Sequence, residues 1–487
     1  MILSELLKDI DVLETAAPLD LEIAGVCYDS RKAKPGDLFV AVTGYETDGH
    51  IYIPKAVEQG AQVVLCERAP EIDVPYIRVS SARKALAVLG ANWFGHPADS
   101  MTMIGVTGTN GKTSTTIILK SVLEQTIGAK VGLVGTIQNM IGDEIIPTER
   151  TTPESFELQS LFAQMRDAGC THVVMEVSSH ALYLNRVDCV RFQVGAFTNL
   201  TEDHLDFHKT MEEYRKAKAI LFRNCDIGVF NIDDKAVEAT IAESTCKAVT
   251  CSEKQERADF SASNIVLHAD RVEMDVTHQG ETVKISIGIP GIFTVYNTLT
   301  VISCAVSLGI PLQTVAEALK TAKGVKGRVE VVPTEGQDFT VLIDYAHTPD
   351  ALENVLRSVR GFCKGRLIAL FGCGGDRDPI KRPIMGKIGV DYADFVVYTS
   401  DNPRTEDPNA ILAQVVAGAE GTSTPYHVEE NRRAAIRWAM DHAEKDDIIV
   451  LAGKGHETYQ IIGKEKTHLD EREEVAAHLL VMKERKK

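Results

Sequence analysis

The most reactive side chains of this sequence stand directly after apolar runs. Residues 103–107 lead into Gly108-Thr109-Asn110-Gly111-Lys112-Thr113-Ser114 and then a helical pattern, the strand, glycine loop and helix order of a phosphate-binding loop. The loop is a short one, because the position five before Gly111 is Val106 and not glycine. Gly108 and Gly111 let backbone amides turn toward phosphate oxygens, Lys112 bridges the terminal phosphates, and the Thr113 hydroxyl holds magnesium. Glu176 ends another apolar run, at the carboxyl edge where open parallel sheets place their ligands, and a carboxylate there suits magnesium. Polar ligand types crowd residues 198–208 after the next run, and His204 and His208 share one face if that stretch is helical. Without the intervening glutamate of a zinc protease, their spacing is a weak zinc signal, and magnesium beside the glycine loop fits better. Lys218, in a predicted helix 211–222, reads equally well as a solvated surface lysine.

Three later loops also follow predicted strands. Residues 371–377 and 399–404 each deliver an Arg and an acid to one sheet edge, and residues 451–457 add Lys454 and Glu457 there. A guanidinium grips carboxylates in a bidentate fork while Asp, Asn and Glu hold an ammonium, so this set suits a zwitterionic amino acid.

The elements that must position these residues are legible as alternations. Up to residue 98, short strands (37–42, 61–65, 76–79) alternate with helices (52–59, 81–93), and Phe94-Gly95-His96-Pro97 breaks the series at a domain boundary. Residues 1–14 read as an amphipathic helix. From 103, uniformly apolar strands (103–107, 131–135, 172–177, 193–198, 227–231) suit a parallel sheet buried on both faces. Residues 264–289 alternate polar and apolar as antiparallel strands do, and a helix at 296–308 follows. A third α/β series starts after 327–330, with strands 340–344, 366–371, 395–399 and 448–452. The expected architecture is therefore three sequential α/β domains: 1–98, 99–330 with a parallel-sheet P-loop core and an antiparallel addition, and 331–487 with a Rossmann-like sheet.

Composition narrows the partners. With 487 residues, 44% hydrophobic and 25% charged, the chain is an ordinary globular protein. Its net charge of −17 disfavours nonspecific binding to nucleic acid or anionic lipid. Ten Cys without a C-x-x-C pair fit reduced thiols, and no run approaches a membrane span, so a cytoplasmic protein is expected.

Together these motifs resemble the Mur ligase family, ATP-dependent amide-forming enzymes of peptidoglycan precursor synthesis. Gly-Thr-Asn-Gly-Lys-Thr at 108–113, Glu-Val-Ser-Ser-His at 176–180, Thr-Asn-Leu at 198–200, Asp-His-Leu-Asp-Phe-His at 203–208 and Asp-Tyr-Ala-His-Thr-Pro at 344–349 look like its signatures. Asp401-Asn402-Pro403-Arg404 is similar to the motif of the branch adding meso-diaminopimelate to UDP-N-acetylmuramoyl-L-alanyl-D-glutamate. The resemblance implies ATP contacts at residues 108–114, Asn297, Arg328 and Asp344. It implies nucleotide-sugar contacts at Ser30, Gly44, Tyr45 and Glu46, and peptide contacts at Thr151, Thr152, Ser178 and Arg186. Diaminopimelate contacts would be Arg377, Asp401, Asn402, Pro403, Arg404, Gly453 and Glu457. Metal ligands would be Thr113, Glu176, His204 and Lys218, the last carbamylated to N6-carboxylysine, with Lys112, Lys218 and His204 as catalytic residues. The implied cofactor is Mg2+ with ATP as co-substrate, in a monomer without nucleic-acid or membrane partners. Two departures stand near the peptide contacts: Arg150 where some relatives have Asn, and Leu184 where some have Gln. The alternatives are a lysine-adding muramyl ligase, a folylpolyglutamate synthetase-like ligase, and a nonenzymatic ATP-binding amino-acid sensor.

Overall fold

The computed structural model describes residues 1–44, 47–148 and 150–485. Two compact units emerge, Met1–Asp259 with Thr300–Pro311, and Phe260–Leu299 with Leu312–Lys487.

The first unit opens with a five-stranded sheet in the order Val12–Thr15, Tyr76–Val79, Val63–Cys66, Asp37–Val40, Gly25–Cys27, parallel except for its first strand. The expected helix at 1–14 is only Leu3–Leu6. Asp9 takes a positive φ of 61°, which ends the helical run, and Val12 onward pairs with the distant strand Tyr76–Val79. The helix Ala82–Phe94 is capped by the Ser81 hydroxyl and stopped by Gly95 at φ 70°. It lies against Ser155–Asp167, where Gly90 admits Phe156 so closely that a Cβ would sit 3.2 Å from its Cα. Phe94 and Phe156 add an aromatic contact at 5.2 Å.

The unit's larger sheet runs Lys247–Ser252, Cys225–Asn231, Phe192–Phe197, Thr102–Thr107, His172–Glu176, Val131–Val134, all parallel, then Asn139–Ile141 and Glu144–Ile146 antiparallel. Its central strands are buried on both faces, which is why they read as unbroken apolar runs. The glycine-loop strand lies between Phe192–Phe197 and His172–Glu176, with Thr107 opposite Phe197 and Val106 opposite Glu176. That register brings residues 108–113, 176–180 and 198–208 to one carboxyl edge.

The second unit holds the antiparallel meander Phe260–Leu267, Val272–His278, Glu281–Ile287, as the alternation at 264–289 predicts. Its six-stranded sheet runs Glu330–Val332, Thr340–Asp344, Ile448–Ala452, Leu367–Phe371, Phe395–Thr399, Tyr426–Glu429, parallel after the first strand. Apolar clusters cover both faces, and a hairpin Tyr459–Ile462 with Glu465–His468 stands outside the sheet. The fold is a three-domain α/β one with mixed sheets. Among the described residues no helix is long and apolar enough to cross a membrane.

Candidate active site

The loop between Thr107 and the helix Lys112–Ile127 is shaped by two glycines, at φ 147° (Gly108) and 85° (Gly111). A Cβ on Gly108 would lie 1.9 Å from Thr198 Oγ1, so no other residue fits there. Thr198 Oγ1 donates to the Asn110 carbonyl at 2.6 Å, and Asn199 Oδ1 accepts from the Asn110 amide at 2.9 Å. The Thr109 hydroxyl donates to the Thr201 carbonyl at 3.2 Å and meets the Tyr214 hydroxyl at 3.3 Å. Neighbouring strand ends and Tyr214 thus fix the loop's backbone.

Lys112 Nζ donates to the carbonyls of Gly108 at 2.9 Å and Thr109 at 2.8 Å. Burial pulls its pKa below the ordinary lysine range, with Glu176 and Asp203 opposing the fall. The Thr113 hydroxyl donates to Glu176 Oε2 at 3.0 Å, and Thr136 donates to the same carboxylate twice, from its amide at 2.9 Å and its hydroxyl at 3.0 Å. Two oxygens cis on an octahedral magnesium ion, each about 2.1 Å from it, stand about 3.0 Å apart. The Thr113 and Glu176 oxygens have that separation and the hard-donor chemistry, so this pair fits magnesium.

Lys218 is no surface lysine. It is 1% exposed, donates from Nζ to the Gly108 carbonyl at 2.8 Å, and lies 4.4 Å from the Tyr214 ring centre. Burial first and the Lys112 charge second hold its amine well below the usual lysine range, against the pull of Asp203. The two lysine side chains therefore converge on one loop carbonyl, Gly108.

His204 caps the short helix Leu205–His208 in a left-handed conformation (φ 52°), with its ring half-exposed and 3.5 Å from Asp203. His180 bridges the predicted pair, with ring centres 4.9 Å from His204 and 5.4 Å from His208. No group of three or more His, Cys, Asp or Glu among the described residues could hold a metal.

His208 has a different task. It is buried, meets Ser179 Oγ at 2.9 Å and stacks on Tyr214 at 5.0 Å. Burial, helped by the charges of His180, Lys218 and His204, lowers its pKa from 6.5 to about 4. Between those values the unfolded chain binds a proton that the folded chain refuses, so stability falls as pH drops through the window. His208→Gln keeps a partner for Ser179 and is expected to flatten that fall, read as urea-unfolding midpoints from about pH 7 to about pH 4.5.

Of the expected peptide contacts, Arg186 meets Glu154, while Thr151, Thr152 and Ser178 find other partners. Arg186, Arg150 and Arg83 reach this one carboxylate at 2.7, 3.2 and 3.3 Å. Arg186 also donates to the Thr152 carbonyl at 3.1 Å, and its Nε is buried without a partner. Thr152 itself is buried, donating to the Glu176 carbonyl at 2.8 Å. The Thr151 and Thr136 hydroxyls are 3.0 Å apart, while the Ser178 hydroxyl caps the next helix by accepting from Ala181. Ser30 is buried beside the Asp29–Arg31 ion pair, and the Gly44 amide donates to Thr47. Tyr45 and Glu46 lie outside the described residues.

In the second unit Asp344 is buried and accepts from the amides of Val329 at 2.8 Å and Ala346 at 2.9 Å; burial raises its pKa against these bonds. Arg328 lies over the Tyr345 ring at 5.6 Å, and Asn297 is buried on the helix Ile292–Ser307. The later loops form one network. Asn402 donates to Glu457 at 3.1 Å, and the wholly buried Lys454 donates to both Asn402 and Glu457 at 3.1 Å. Asp401 Oδ2 is buried without a partner, and a Cβ on Gly453 would lie 2.7 Å from it. Arg404, following Pro403, adopts φ 52° and donates to the Gly375 carbonyl at 2.9 Å; Arg377 donates to Asp376 at 3.1 Å.

Thr136, Arg83 and Glu154 were not singled out by sequence reasoning. Thr136 stands two residues past the buried strand Val131–Val134, at the carboxyl edge where Glu176 ends its own strand, which was a usable signal; the others gain meaning only from their partners.

The Mur ligase middle domain matches residues 106–305, the Mur ligase glutamate ligase domain 327–455, and the Mur ligase family catalytic domain 22–94. The chain belongs to the Mur ligase family. It is 51% identical, over 93% of its length and 94% of the relative's, to the UDP-N-acetylmuramoyl-L-alanyl-D-glutamate--2,6-diaminopimelate ligase of Caldanaerobacter subterraneus subsp. tengcongensis. With the protein of the same name from Clostridium tetani it shares 48% identity over 97% and 98% of the two chains. Among solved structures, one titled as such a ligase superposes with a TM-score of 0.78 at 29% identity, covering 99% of both chains. MurF from Thermotoga maritima in complex with ADP, at 17% identity and TM-score 0.59 over 96% and 100% of the chains, shares the fold.

Proposed function

We propose that the chain is an ATP-dependent carboxylate-amine ligase that joins meso-diaminopimelate to the γ-carboxylate of D-glutamate in UDP-N-acetylmuramoyl-L-alanyl-D-glutamate, for peptidoglycan precursor synthesis. The observation that carries this reading is end-to-end similarity to ligases of that name in a chain that keeps both the phosphate loop and the Asp401–Arg404 set. The three domains have boundaries at 1–98, 99–330 and 331–487, and the enzyme works as a cytoplasmic monomer without nucleic-acid or membrane partners.

A carboxylate resists amines because its charge is delocalised, so it must first be activated. The γ-carboxylate attacks the γ-phosphorus of ATP, ADP leaves, and an acyl phosphate forms; a neutral amine of diaminopimelate then attacks the acyl carbon, phosphate leaves, and the nitrogen loses its extra proton. Residues 108–114 cradle the phosphates with Lys112 on the terminal ones, and Asn297, Arg328 and Asp344 bind the nucleotide. Thr113 and Glu176 hold one magnesium ion, and His204 with carbamylated Lys218 the other. Bound magnesium neutralises the anions that must converge. Ser30, Gly44, Tyr45 and Glu46 bind the uridine nucleotide, and Thr151, Thr152, Ser178 and Arg186 the peptide. Arg377, Asp401, Asn402, Pro403, Arg404, Gly453 and Glu457 seat the amino acid, with the Arg404 fork on the carboxylate that lysine lacks.

The test is ADP release. It is expected to require both the UDP-muramoyl dipeptide and the amine, with kcat/KM for meso-diaminopimelate about a hundredfold or more above that for lysine. ADP release indifferent to the dipeptide would refute the reading and favour the sensor.

A further inference from the structure

One buried ion pair in the second unit is poorly explained by stability. Arg432 and Glu471 are 0% and 1% exposed in their side chains and meet at 2.7 Å. Glu471 receives both Nε and Nη2 of Arg432 on Oε1, while its Oε2 is buried without a partner. Arg432 is moreover the first residue of the helix Arg432–Asp441, at the positive end of the helix dipole, where a cation is disfavoured. Buried pairs of this kind are often matched by apolar side chains of similar volume, so the fold alone gives little reason to keep one.

The remaining bonds of the guanidinium show what it does. Nη2 donates to the Ala452 carbonyl at 2.8 Å, and Nη1 faces the Ser400 carbonyl at 3.4 Å. Ala452 ends the strand Ile448–Ala452, and Ser400 directly follows Phe395–Thr399. These strands are not neighbours, since Leu367–Phe371 lies between them, so their ends are about 9–10 Å apart in an ideal sheet. Arg432 spans that gap. The next residues on either side are Asp401 and Gly453, the first members of the two loops assigned to the incoming amino acid, and Lys454 ties those loops together again through its bond to Asn402.

We propose that Arg432, anchored by Glu471, is a positioning residue that fixes the separation of the 401–404 and 453–457 loops and thereby the selection of the amino acid. The proposal rests on the reading of these loops as the amino-acid site. Only a planar fork can serve both carbonyls and the carboxylate; an ammonium keeps the charge but loses the span.

The full-length enzyme is assayed with ATP, the UDP-muramoyl dipeptide and either meso-diaminopimelate or lysine, as wild type, Arg432→Lys and Glu471→Gln. Arg432→Lys is expected to raise the KM for meso-diaminopimelate about tenfold or more and to narrow the preference over lysine. The kcat and the KM for ATP stay within about threefold, and Glu471→Gln shifts the same parameters less. An unchanged amino-acid KM, or equal losses in all three parameters, would overturn the proposal. Should Arg432→Lys fail to fold, Glu471→Gln decides by the same criterion. A wild type that forms no ADP with any amino acid overturns the functional reading and this proposal with it, whereas turnover with a different amino acid overturns only the substrate and moves the KM comparison to that one.

Discussion

Lys112→Met is expected to lower kcat for ADP release by about a thousandfold while leaving the thermal midpoint unchanged or slightly raised. The loss follows from position. Lys112 is the first residue of its helix and its Nζ hangs on two loop carbonyls, where an arriving γ-phosphate would find the one cation that rises from the loop itself. Preorganised charges aimed at charge developing in the transition state are worth about 10²–10³ in kcat each, and phosphoryl transfer depends almost entirely on such stabilisation. The stability half follows from the same geometry read the other way. A cation at a helix N-terminus opposes the dipole, and burial disfavours the charged amine, so the folded chain bears a cost that an isosteric thioether removes. A fall in kcat accompanied by a matching fall in the unfolding midpoint would mean that Lys112 only holds the loop together.

The same distinction between position and packing decides what the sequence made legible. Strands such as Thr102–Thr107 and His172–Glu176 could be read because burial on both faces forces an unbroken apolar run, and the loops after them because a parallel sheet exposes chemistry at its carboxyl edge. Edge elements were silent. Glu144–Ile146, at the sheet edge, has two of its three residues exposed, and every residue of Glu465–His468 is exposed, so neither has the periodicity that burial imposes; Asn139–Ile141, one strand further in, is too short at three residues to display it. The N-terminal helix was overextended because Val12–Thr15 earns its conformation from a partner strand more than sixty positions away, which no local pattern contains. In the site, the glycine loop and Asp401–Arg404 stood out as motifs, but Lys218 was ambiguous by composition and depended on family resemblance. Its burial against the Gly108 carbonyl is a tertiary fact, as are the three arginines on Glu154 and the Arg432 strut.

Lys218→Met is expected to cost about 10²–10³ in kcat, and wild-type activity to fall in carbon dioxide-free buffer and return on adding bicarbonate. A carbamate forms from a neutral amine and carbon dioxide with release of a proton, so both rising bicarbonate and rising pH favour it. An exposed lysine with a pKa of about 10.4 offers almost no neutral amine near pH 7, whereas burial and the nearby Lys112 charge push Lys218 well down and make its nitrogen available. The linkage gives a second, independent readout. Below its folded pKa the buried group is an ammonium and the folding penalty is complete; above it the native amine is neutral while the unfolded chain still binds a proton. Stability of the carbon dioxide-free protein therefore rises with pH from the folded pKa toward about 10.4, and Lys218→Met removes that contribution. Intact mass in bicarbonate buffer distinguishes the adduct from the free amine directly. Full activity without carbon dioxide, together with an unmodified mass in bicarbonate, would leave Lys218 as a free amine shared between the loop carbonyl and Tyr214 and would overturn its proposed role as a magnesium ligand.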